Sequence, residues 1–343
     1  MKAILHERYS GLKGLRYADV SVSNHPKPGE VQVRLKAAGI NHRDLFVMAA
    51  RTASNKPLIL GSDGAGIVAK IGKGVSRLQV GDEVILHPTL GWNTAADVPL
   101  IPQIVGGPGE GTLAEYITLP ADNVLPKPSH LSWEEAGVLS LSALTAYRAL
   151  FTRGQLRQGE HVLIPGIGGG VATFALLFAK SAGATVSVTS RSEAKRAAAA
   201  RLGAGHALDS HGNWSEALSP QSVDLIMDSI GQDMFAKYFD VLRPGGRVVM
   251  YGASSGDDLQ VPIRSIFFPQ ISLLGTSMGS REEFVQMLEW IQRHQIRPVV
   301  DSIYQLHDVS RAFERMSQGL QFGNIAIRIE QGETAIAVLW RRR

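Results

Sequence analysis

The chain has 343 residues, of which 44% are hydrophobic and 19% are charged, and its formal net charge is +4. That length suits two domains and supplies ample apolar material for their cores. The absence of cysteine excludes disulfides, thiol nucleophiles, zinc–thiolate sites and iron–sulfur clusters. The net charge gives no reason to expect a nucleic acid partner, because much of it comes from Arg341, Arg342 and Arg343, a terminal tail of a kind that is usually solvated.

Apolar runs in the chain are too short for a membrane span. The most apolar stretch, residues 170–188, contains Lys180 and Gly183 and does not reach the roughly 18 apolar residues that a membrane helix needs. The first six residues lead into no long apolar segment and do not resemble a secretory signal. We therefore expect a cytoplasmic protein without a membrane partner.

The first third of the chain is predicted to be β-rich. Residues 31–35 alternate between polar and apolar side chains, as a half-buried strand does, and residues 66–71 and 83–86 form further apolar runs between turn residues. This pattern favours a barrel-like unit over residues 1–125.

Beyond Pro126 the periodicity changes to helices that alternate with strands. Helices are predicted at 132–150, 171–181, 193–202 and 233–242, and strands at 161–165, 185–189, 223–228 and 246–251. Strands alternating with helices indicate a doubly wound parallel sheet, and hence an α/β fold, over residues 126–270. Residues 271–343, with a helix at 281–294 and a strand at 325–329, should return to the β-rich unit.

A glycine-rich turn links the first strand of this α/β unit to its helix. It reads Gly166-Ile167-Gly168-Gly169-Gly170-Val171. Glycines let the backbone approach a pyrophosphate, and the helix N-terminus presents free N–H groups to it. The position after a strand and before a helix favours dinucleotide binding over a packing turn.

The second strand of the unit ends at Ser190 and Arg191, and Lys195 follows one turn later. Enzymes that use NAD place a carboxylate here for the ribose hydroxyl, which would repel a 2′-phosphate. Arg191 could instead pair with that phosphate, so NADP(H) is the expected cofactor, unless both cations are simply solvated. The ends of later strands, at Ser229, Tyr251 and Gly252, are expected to complete the cofactor site.

Four motifs together resemble the medium-chain dehydrogenases/reductases, and specifically their zinc-free quinone oxidoreductase-like branch. They lie at residues 61–68 (Gly-Ser-Asp-Gly-Ala-Gly-Ile-Val), 139–147, 202–204 and 242–247. The resemblance spans nearly all of the chain. It implies a GroES-like catalytic domain, a Rossmann nucleotide-binding domain and a small-molecule substrate held between them.

The resemblance also implies that both zinc sites of the related alcohol dehydrogenases are absent. By position, the catalytic metal ligands correspond to Asn41, Ser62 and Leu141, and leucine cannot bind a metal. Asp63 alone cannot hold zinc and is expected to be structural. Residues 88–111 contain none of the four cysteines of the structural zinc lobe.

Candidate catalytic residues lie at the start of the first helix of the β-rich unit. In resembling quinone reductases the asparagine at the position of Asn41 borders the nicotinamide, and its amide could donate to a substrate carbonyl. Asn41 followed by Asp44 is equally typical of a helix N-cap. His42 could transfer a proton or contact the pyrophosphate, and Arg43 is a further cleft candidate.

Two more residues are placed at the cleft. Trp92 lies in a long loop rich in glycine and proline, where its ring could stack on a flat quinone or simply pack. Thr145 could hydrogen-bond near the nicotinamide or back to its own helix. The expected activity is reduction of a quinone or conjugated carbonyl, with an enoyl or alkenal reductase or a cofactor-binding scaffold as alternatives.

An apolar strand at residues 271–276 should lie at the edge of the parallel sheet. An open apolar edge invites aggregation, so pairing with the same strand of a second chain is expected, as in the resembled quinone reductases. The competing expectation is that the return segment or residues 334–340 cover this edge.

Overall fold

The computed structural model describes residues 1–22 and 25–329. The β-rich unit begins the chain and contains one helix, α1 (His42–Ala50). Its strands are β1 (Lys2–His6), β2 (Leu15–Asp19), β3 (Glu30–Ile40), β4 (Leu58–Ile59), β5 (Asp63–Ile71), β6 (Glu83–Leu86), β7 (Thr89–Leu90), β8 (Gln103–Ile104), β9 (Tyr116–Pro120) and β10 (Val124–Pro126). Short 3₁₀ turns lie at Gly11–Gly14 and Ala121–Asn123.

The long strand β3 organises the β-rich unit. It pairs antiparallel with β5 and with β9, and its apolar side chains, among them Val31, Val33 and Leu35, are fully buried. β5 approaches β3 so closely at Gly66 that a Cβ there would lie 2.1 Å from the Arg34 carbonyl oxygen. The strands predicted at 31–35, 66–71 and 83–86 are confirmed, the first two as parts of longer strands.

The α/β unit follows. Its strands are β11 (His161–Ile164), β12 (Thr185–Thr189), β13 (His206–Leu208), β14 (Val223–Asp228), β15 (Leu242–Met250) and β16 (Ser272–Gly275), and they form one parallel sheet in the order β13-β12-β11-β14-β15-β16. Its helices are α2 (Trp133–Gly137), α3 (Ser140–Tyr147), α4 (Gly170–Ser181), α5 (Glu193–Leu202), α6 (Trp214–Leu218), α7 (Gln232–Val241) and α8 (Arg264–Phe267). The predicted doubly wound α/β fold is confirmed.

The prediction of one continuous helix at 132–150 is wrong, because the segment contains separate helices. Its start is confirmed, because the Ser132 hydroxyl accepts from the Glu135 amide while the Glu135 carboxylate accepts from the Ser132 amide. The chain then turns at Val138, since Gly137 lies against β3, where a Cβ would come 2.7 Å from Ala37 Cβ. α3 follows, and it continues into a π-helix at Arg148–Arg153.

The last part of the described chain returns to the β-rich unit. It begins with α9 (Arg281–His294), which buries Phe284, Met287 and Ile291 in the core of the α/β unit. The segment then joins the β-rich unit with β17 (Val300–Gln305), a 3₁₀ turn at Leu306–Asp308, α10 (Val309–Ser317) and β18 (Asn324–Arg328). β18 pairs antiparallel with β3 and parallel with β17, which completes the large sheet of the first unit. Across residues 1–22 and 25–329, no helix combines the length and apolarity that crossing a membrane requires.

Candidate active site

The glycine-rich turn lies between β11 and α4, at the carboxyl edge of the parallel sheet. Gly166 has φ +72° and Gly168 has φ +154°, conformations that side chains disfavour. The turn is held by Thr189 at the end of β12, because the Gly166 amide donates to its Oγ1 (3.2 Å) and the Ile167 amide to its carbonyl (2.8 Å). Gly169 precedes α4, and a Cβ at Gly169 would meet no protein atom within 4 Å. The turn therefore leaves room for a phosphate at the N-terminus of a twelve-residue helix.

The other side of this turn faces the β-rich unit. A Cβ at Gly170 would lie 2.1 Å from Asn324 Oδ1 and 2.5 Å from Ser142 Oγ. The Gly323 amide also donates to the Gly168 carbonyl at 2.9 Å. Glycine is required at position 170 because α3 and β18 approach it so closely, and the turn is thereby placed where the two units meet. Val171, next in α4, is half-buried against the core of the α/β unit.

Positive charge lies next to the turn, where the sequence places the cofactor's ribose. Lys195 Nζ donates to the Gly319 carbonyl at 2.7 Å, and a Cβ at Gly168 would lie 2.9 Å from that nitrogen. Burial lowers the pKa of Lys195, Asp301 opposes this, and Arg191 lowers it further. Arg191 is exposed, whereas Ser190 is buried and its hydroxyl accepts from the Ser192 amide.

His42 and Arg43 open α1 and behave differently. His42 keeps an exposed surface, while desolvation by the surrounding protein and, after it, the charge of Lys195 lower its pKa. His42 therefore lies within reach of the charge of Lys195 beside the glycine turn, and its neutral form is favoured. Arg43 instead holds the loop before β9, because its guanidinium donates to the Gly107 carbonyl at 2.9 Å and to Ser62 Oγ at 3.3 Å.

A buried polar network centres on Asp63, at the start of β5. Asp63 Oδ2 accepts from Asn41 Nδ2 at 2.8 Å, and Asp63 Oδ1 accepts from the Leu141 amide at 2.6 Å. Ser142 Oγ donates to Asn41 Oδ1 at 3.3 Å. Burial raises the pKa of Asp63 to about 7, although both hydrogen bonds lower it. The network joins the start of α1 to the start of α3, directly beside Gly170.

Apolar side chains adjoin the network. Trp92, Leu141 and Met278 form a small buried cluster with Ile104 at its rim. The Trp92 indole donates to the Thr94 carbonyl at 2.7 Å, and the Arg148 guanidinium lies over its ring at 4.7 Å. Trp92 is therefore packed as part of an apolar wall, with only 3% of its surface exposed. Thr145 donates to the Leu141 carbonyl at 2.8 Å, the helical back-bond that its position allowed.

Ser229, Tyr251 and Gly252 lie at the carboxyl ends of the neighbouring strands β14 and β15. A Cβ at Gly252 would come 3.1 Å from the Ser229 carbonyl oxygen, which brings the two turns into contact. Asp228 shapes the first turn, because its Oδ1 accepts from the Ile230 amide at 2.8 Å. These residues therefore share one sheet edge with the glycine turn, as Rossmann geometry requires of a dinucleotide site.

Comparison with known proteins places this arrangement in a family. The pattern of the alcohol dehydrogenase GroES-like domain matches residues 27–129, and that of the zinc-binding dehydrogenase domain matches residues 170–293. The zinc-type alcohol dehydrogenase-like protein YogA of Leptosphaeria maculans is 33% identical over 332 residues, with 89% of this chain and 92% of the relative covered. The chain belongs to the medium-chain dehydrogenase/reductase superfamily.

Further relatives of this dehydrogenase/reductase support the assignment. A zinc-type alcohol dehydrogenase-like protein of Schizosaccharomyces pombe is 30% identical, covering 96% of this chain and 99% of the relative. A solved NAD-dependent alcohol dehydrogenase is 32% identical with a TM-score of 0.89, covering 96% of this chain and all of the other. The 2-octenoyl-CoA carboxylase reductase CinF, solved with NADP and 2-octenoyl-CoA, is 26% identical with a TM-score of 0.85, covering 96% of this chain and 88% of its own.

The residues at the zinc positions of this dehydrogenase/reductase do not fit a catalytic metal. The Asn41 amide is engaged by Asp63 and Ser142, the Ser62 hydroxyl donates to the Val105 carbonyl at 2.8 Å, and the Leu141 side chain is apolar. Within the described part of the chain, no three His, Asp or Glu side chains converge as a metal site would require. The side chains at these three positions therefore do not form a ligand set for a catalytic zinc ion.

Two members of this site, Ser142 and Asn324, are not predicted from the sequence. Asp63 is predicted to be structural because the glycines around it indicate close packing, and its buried hydrogen bonds to Asn41 and Leu141 agree with that prediction. Ser142 and Asn324 carry no local signal, and they are found only because α3 and β18 converge on Gly170. For Asp63, the signal that was available is its place beside a ligand position of the related zinc enzymes.

Proposed function

We propose that this oxidoreductase transfers hydride directly from NADPH to a quinone or a conjugated carbonyl compound without zinc. The observation that carries the proposal is the Asp63 network, since a hydrogen-bonded amide, Asn41, and an apolar side chain, Leu141, occupy two of the metal-ligand positions. An amide donor can support negative charge developing on a substrate oxygen. The apolar wall of Trp92, Leu141 and Met278 suits a flat, weakly polar acceptor.

The residues beside the glycine turn fit NADP(H). Bound there, the nicotinamide would supply the hydride, while the protein provides orientation and exclusion of water. Residues 166–170 and the start of α4 would hold the pyrophosphate, with Lys195 adding positive charge. The lowered pKa of His42 keeps its imidazole neutral near pH 7, so His42 would contact the pyrophosphate as a hydrogen-bond donor. Arg191 would pair with the 2′-phosphate, because it is exposed beside Lys195 at the end of β12. NADP in the solved complex of CinF, which shares this fold, supports the same choice.

The substrate side favours one alternative within the same reaction class. CinF binds 2-octenoyl-CoA, and a crotonyl-CoA reductase of Streptomyces avermitilis is 26% identical over 353 residues. An enoyl thioester is also a conjugated carbonyl, and its oxygen could accept from Asn41 in the same way. The alternative therefore changes the acceptor and leaves the roles of the residues unchanged.

We further propose a homodimer built on the edge strand β16. This strand ends the order of the parallel sheet, and nearby Ile263, Phe267 and Phe268 are more than half exposed. Pairing β16 with its copy across a two-fold axis would satisfy the outer edge and cover apolar surface. Residues 334–340, the competing cover, lie outside the described residues. We also propose domain boundaries at 125/126 and 270/271, the second of which counts β16 with the return segment although β16 pairs with β15 in the parallel sheet.

NADPH oxidation with a panel of quinones, enals, enones and enoyl thioesters tests the proposal. We expect turnover with at least one class and tighter binding of NADPH than of NADH. Loss of one charge-assisted contact in Arg191→Ala should weaken NADPH binding by about 1.5–3 kcal/mol and leave NADH binding unchanged. Arg201→Ala, which removes a cation in the last turn of α5, is the control.

Two outcomes would count against it. Binding of NADPH without oxidation by any acceptor would favour a cofactor-binding scaffold with little turnover. Equal affinity of the unmodified protein for NADPH and NADH would refute the role of Arg191.

A further inference from the structure

Asp63 is a buried carboxylate whose two oxygens hold two parts of the site. Only 1% of its surface is exposed. Oδ2 accepts from the side chain of Asn41, and Oδ1 accepts from the main chain of Leu141, 78 residues away along the chain. We propose that Asp63 is a positioning residue that orients the Asn41 amide so that its second N–H is presented to the substrate oxygen. This inference rests on the proposed function of the site and adds a residue to it.

The hydrogen bonds determine which way the amide faces. A carboxylate oxygen accepts and a side-chain amide nitrogen donates, so the Asn41 nitrogen must face Asp63. Ser142 Oγ donates to the Asn41 oxygen on the other side at 3.3 Å. Turning the amide over would set its oxygen against the Asp63 carboxylate and its nitrogen against the Ser142 hydroxyl hydrogen. The amide is therefore locked with one N–H bound to Asp63 and the other left to donate.

The contacts of Ser142 and Leu141 connect the orientation of the Asn41 amide to the proposed site of hydride transfer. Ser142 also lies against Gly170, where a Cβ would come 2.5 Å from its Oγ, and Leu141 belongs to the apolar wall. Asn41 is thus connected to the glycine turn through Ser142 and to Leu141 of the apolar wall through Asp63. An amide turned the other way would present its oxygen to the substrate carbonyl and oppose the developing negative charge.

A neighbouring carboxylate provides a matched control. Asp44 is fully buried as well, but its Oδ2 accepts from the main-chain amide of Asn41 at 2.8 Å. This hydrogen bond fixes the start of α1 and involves the main chain of Asn41, not its side-chain amide. Asp44→Asn therefore removes an equally buried charge without removing the proposed orientation.

The decisive variant is Asp63→Asn, which keeps the shape of the side chain and removes the charge. Its new NH₂ group must face either Asn41 Nδ2 or the Leu141 amide, so one donor opposes another. At about pH 8.5, where the wild-type carboxylate is ionised, we expect kcat to fall about 100- to 1000-fold, the scale for losing an oriented oxyanion donor. The KM for NADPH should change less than about two-fold, because the glycine turn is untouched.

A double-mutant cycle separates orientation from structural support. In an Asn41→Ala background, Asp63→Asn should produce no further fall in kcat, whereas Asp44→Asn should have the same effect in both backgrounds. Equal effects of Asp63→Asn with and without Asn41 would overturn the proposal. If Asp63→Asn does not fold, Ser142→Ala removes the other lock and must show the same dependence on Asn41.

A readout without turnover distinguishes failure of this inference from failure of the proposed function. The side-chain amide signals of Asn41 in ¹⁵N NMR spectra are identified by their loss in Asn41→Ala. We expect slow hydrogen exchange of these signals in the wild type and in Asp44→Asn, and fast exchange in Asp63→Asn. If no acceptor is turned over, the proposed function fails while this result still supports or overturns the orientation by Asp63.

Discussion

Replacement of Glu283 by alanine should destabilise the protein strongly, because it leaves a buried charge without its partner. Arg148 Nη1 donates to both oxygens of Glu283, at 2.6 and 2.7 Å, and the two side chains are 3% and 1% exposed. Thr152 Oγ1 and the Ser280 amide and hydroxyl donate to the same carboxylate. Breaking a buried pair by removing one partner costs about 3–5 kcal/mol.

The assay is thermal unfolding followed by circular dichroism. At roughly 2–3 °C per kcal/mol for a domain of this size, Glu283→Ala should lower Tm by about 6–15 °C. Glu283→Gln keeps the volume of the side chain and some of its hydrogen bonds, so its Tm should lie between that of Glu283→Ala and that of the wild type. The control is Asp19→Asn, whose partner Lys2 lies at 2.6 Å but whose side chain is 74% exposed, so its Tm should not change. A Glu283→Ala protein that melts with the wild type would refute the reasoning.

Three further predictions concern metal, pH and assembly. Elemental analysis should find no stoichiometric zinc, because Leu141 cannot ligate it; one tightly held zinc ion per chain would contradict the site described. Burial raises the pKa of Asp44 to about 6, above its ordinary value of 3.8, so its protonated form stabilises the fold at low pH and this contribution is lost as pH rises through about 6. Between about pH 3.8 and pH 6, the Tm of the wild type should fall relative to the Tm of Asp44→Asn. A constant difference in Tm over this range would show that Asp44 does not titrate there. Leu273→Pro removes a ladder donor from β16 and should give monomers by light scattering, whereas an unchanged dimer mass would exclude this edge as the interface.

Local sequence signals were sufficient for most elements. The predicted ranges 185–189, 193–202 and 281–294 match β12, α5 and α9 at both ends. The two helices begin at caps, Ser192 and Ser280, whose hydroxyls accept from the Lys195 and Glu283 amides. Signals of this kind depend on neighbours within one or two turns, so they can be read without the fold.

The break in the helix predicted at 132–150 shows where such signals fail. α3 is buried on nearly every side, so the periodicity of its apolar residues gives no boundary. The boundary is set by the contact of Gly137 with Ala37 of β3. That contact joins parts of the chain a hundred residues apart, and no window of local sequence contains it.

The sequence by itself determined the chemistry that this protein has available. A chain without cysteine, with leucine at position 141 and glycines at 166 and 168–170, offers a phosphate turn and lacks thiolate ligands whatever its fold. The tertiary structure decided how those residues act together. Asn41 acquires a single amide orientation only because β5 brings Asp63, and α3 brings Ser142, to opposite sides of it. Hydrogen-bond partners of a buried amide are chosen by the packing of distant elements, and side-chain type alone does not specify them.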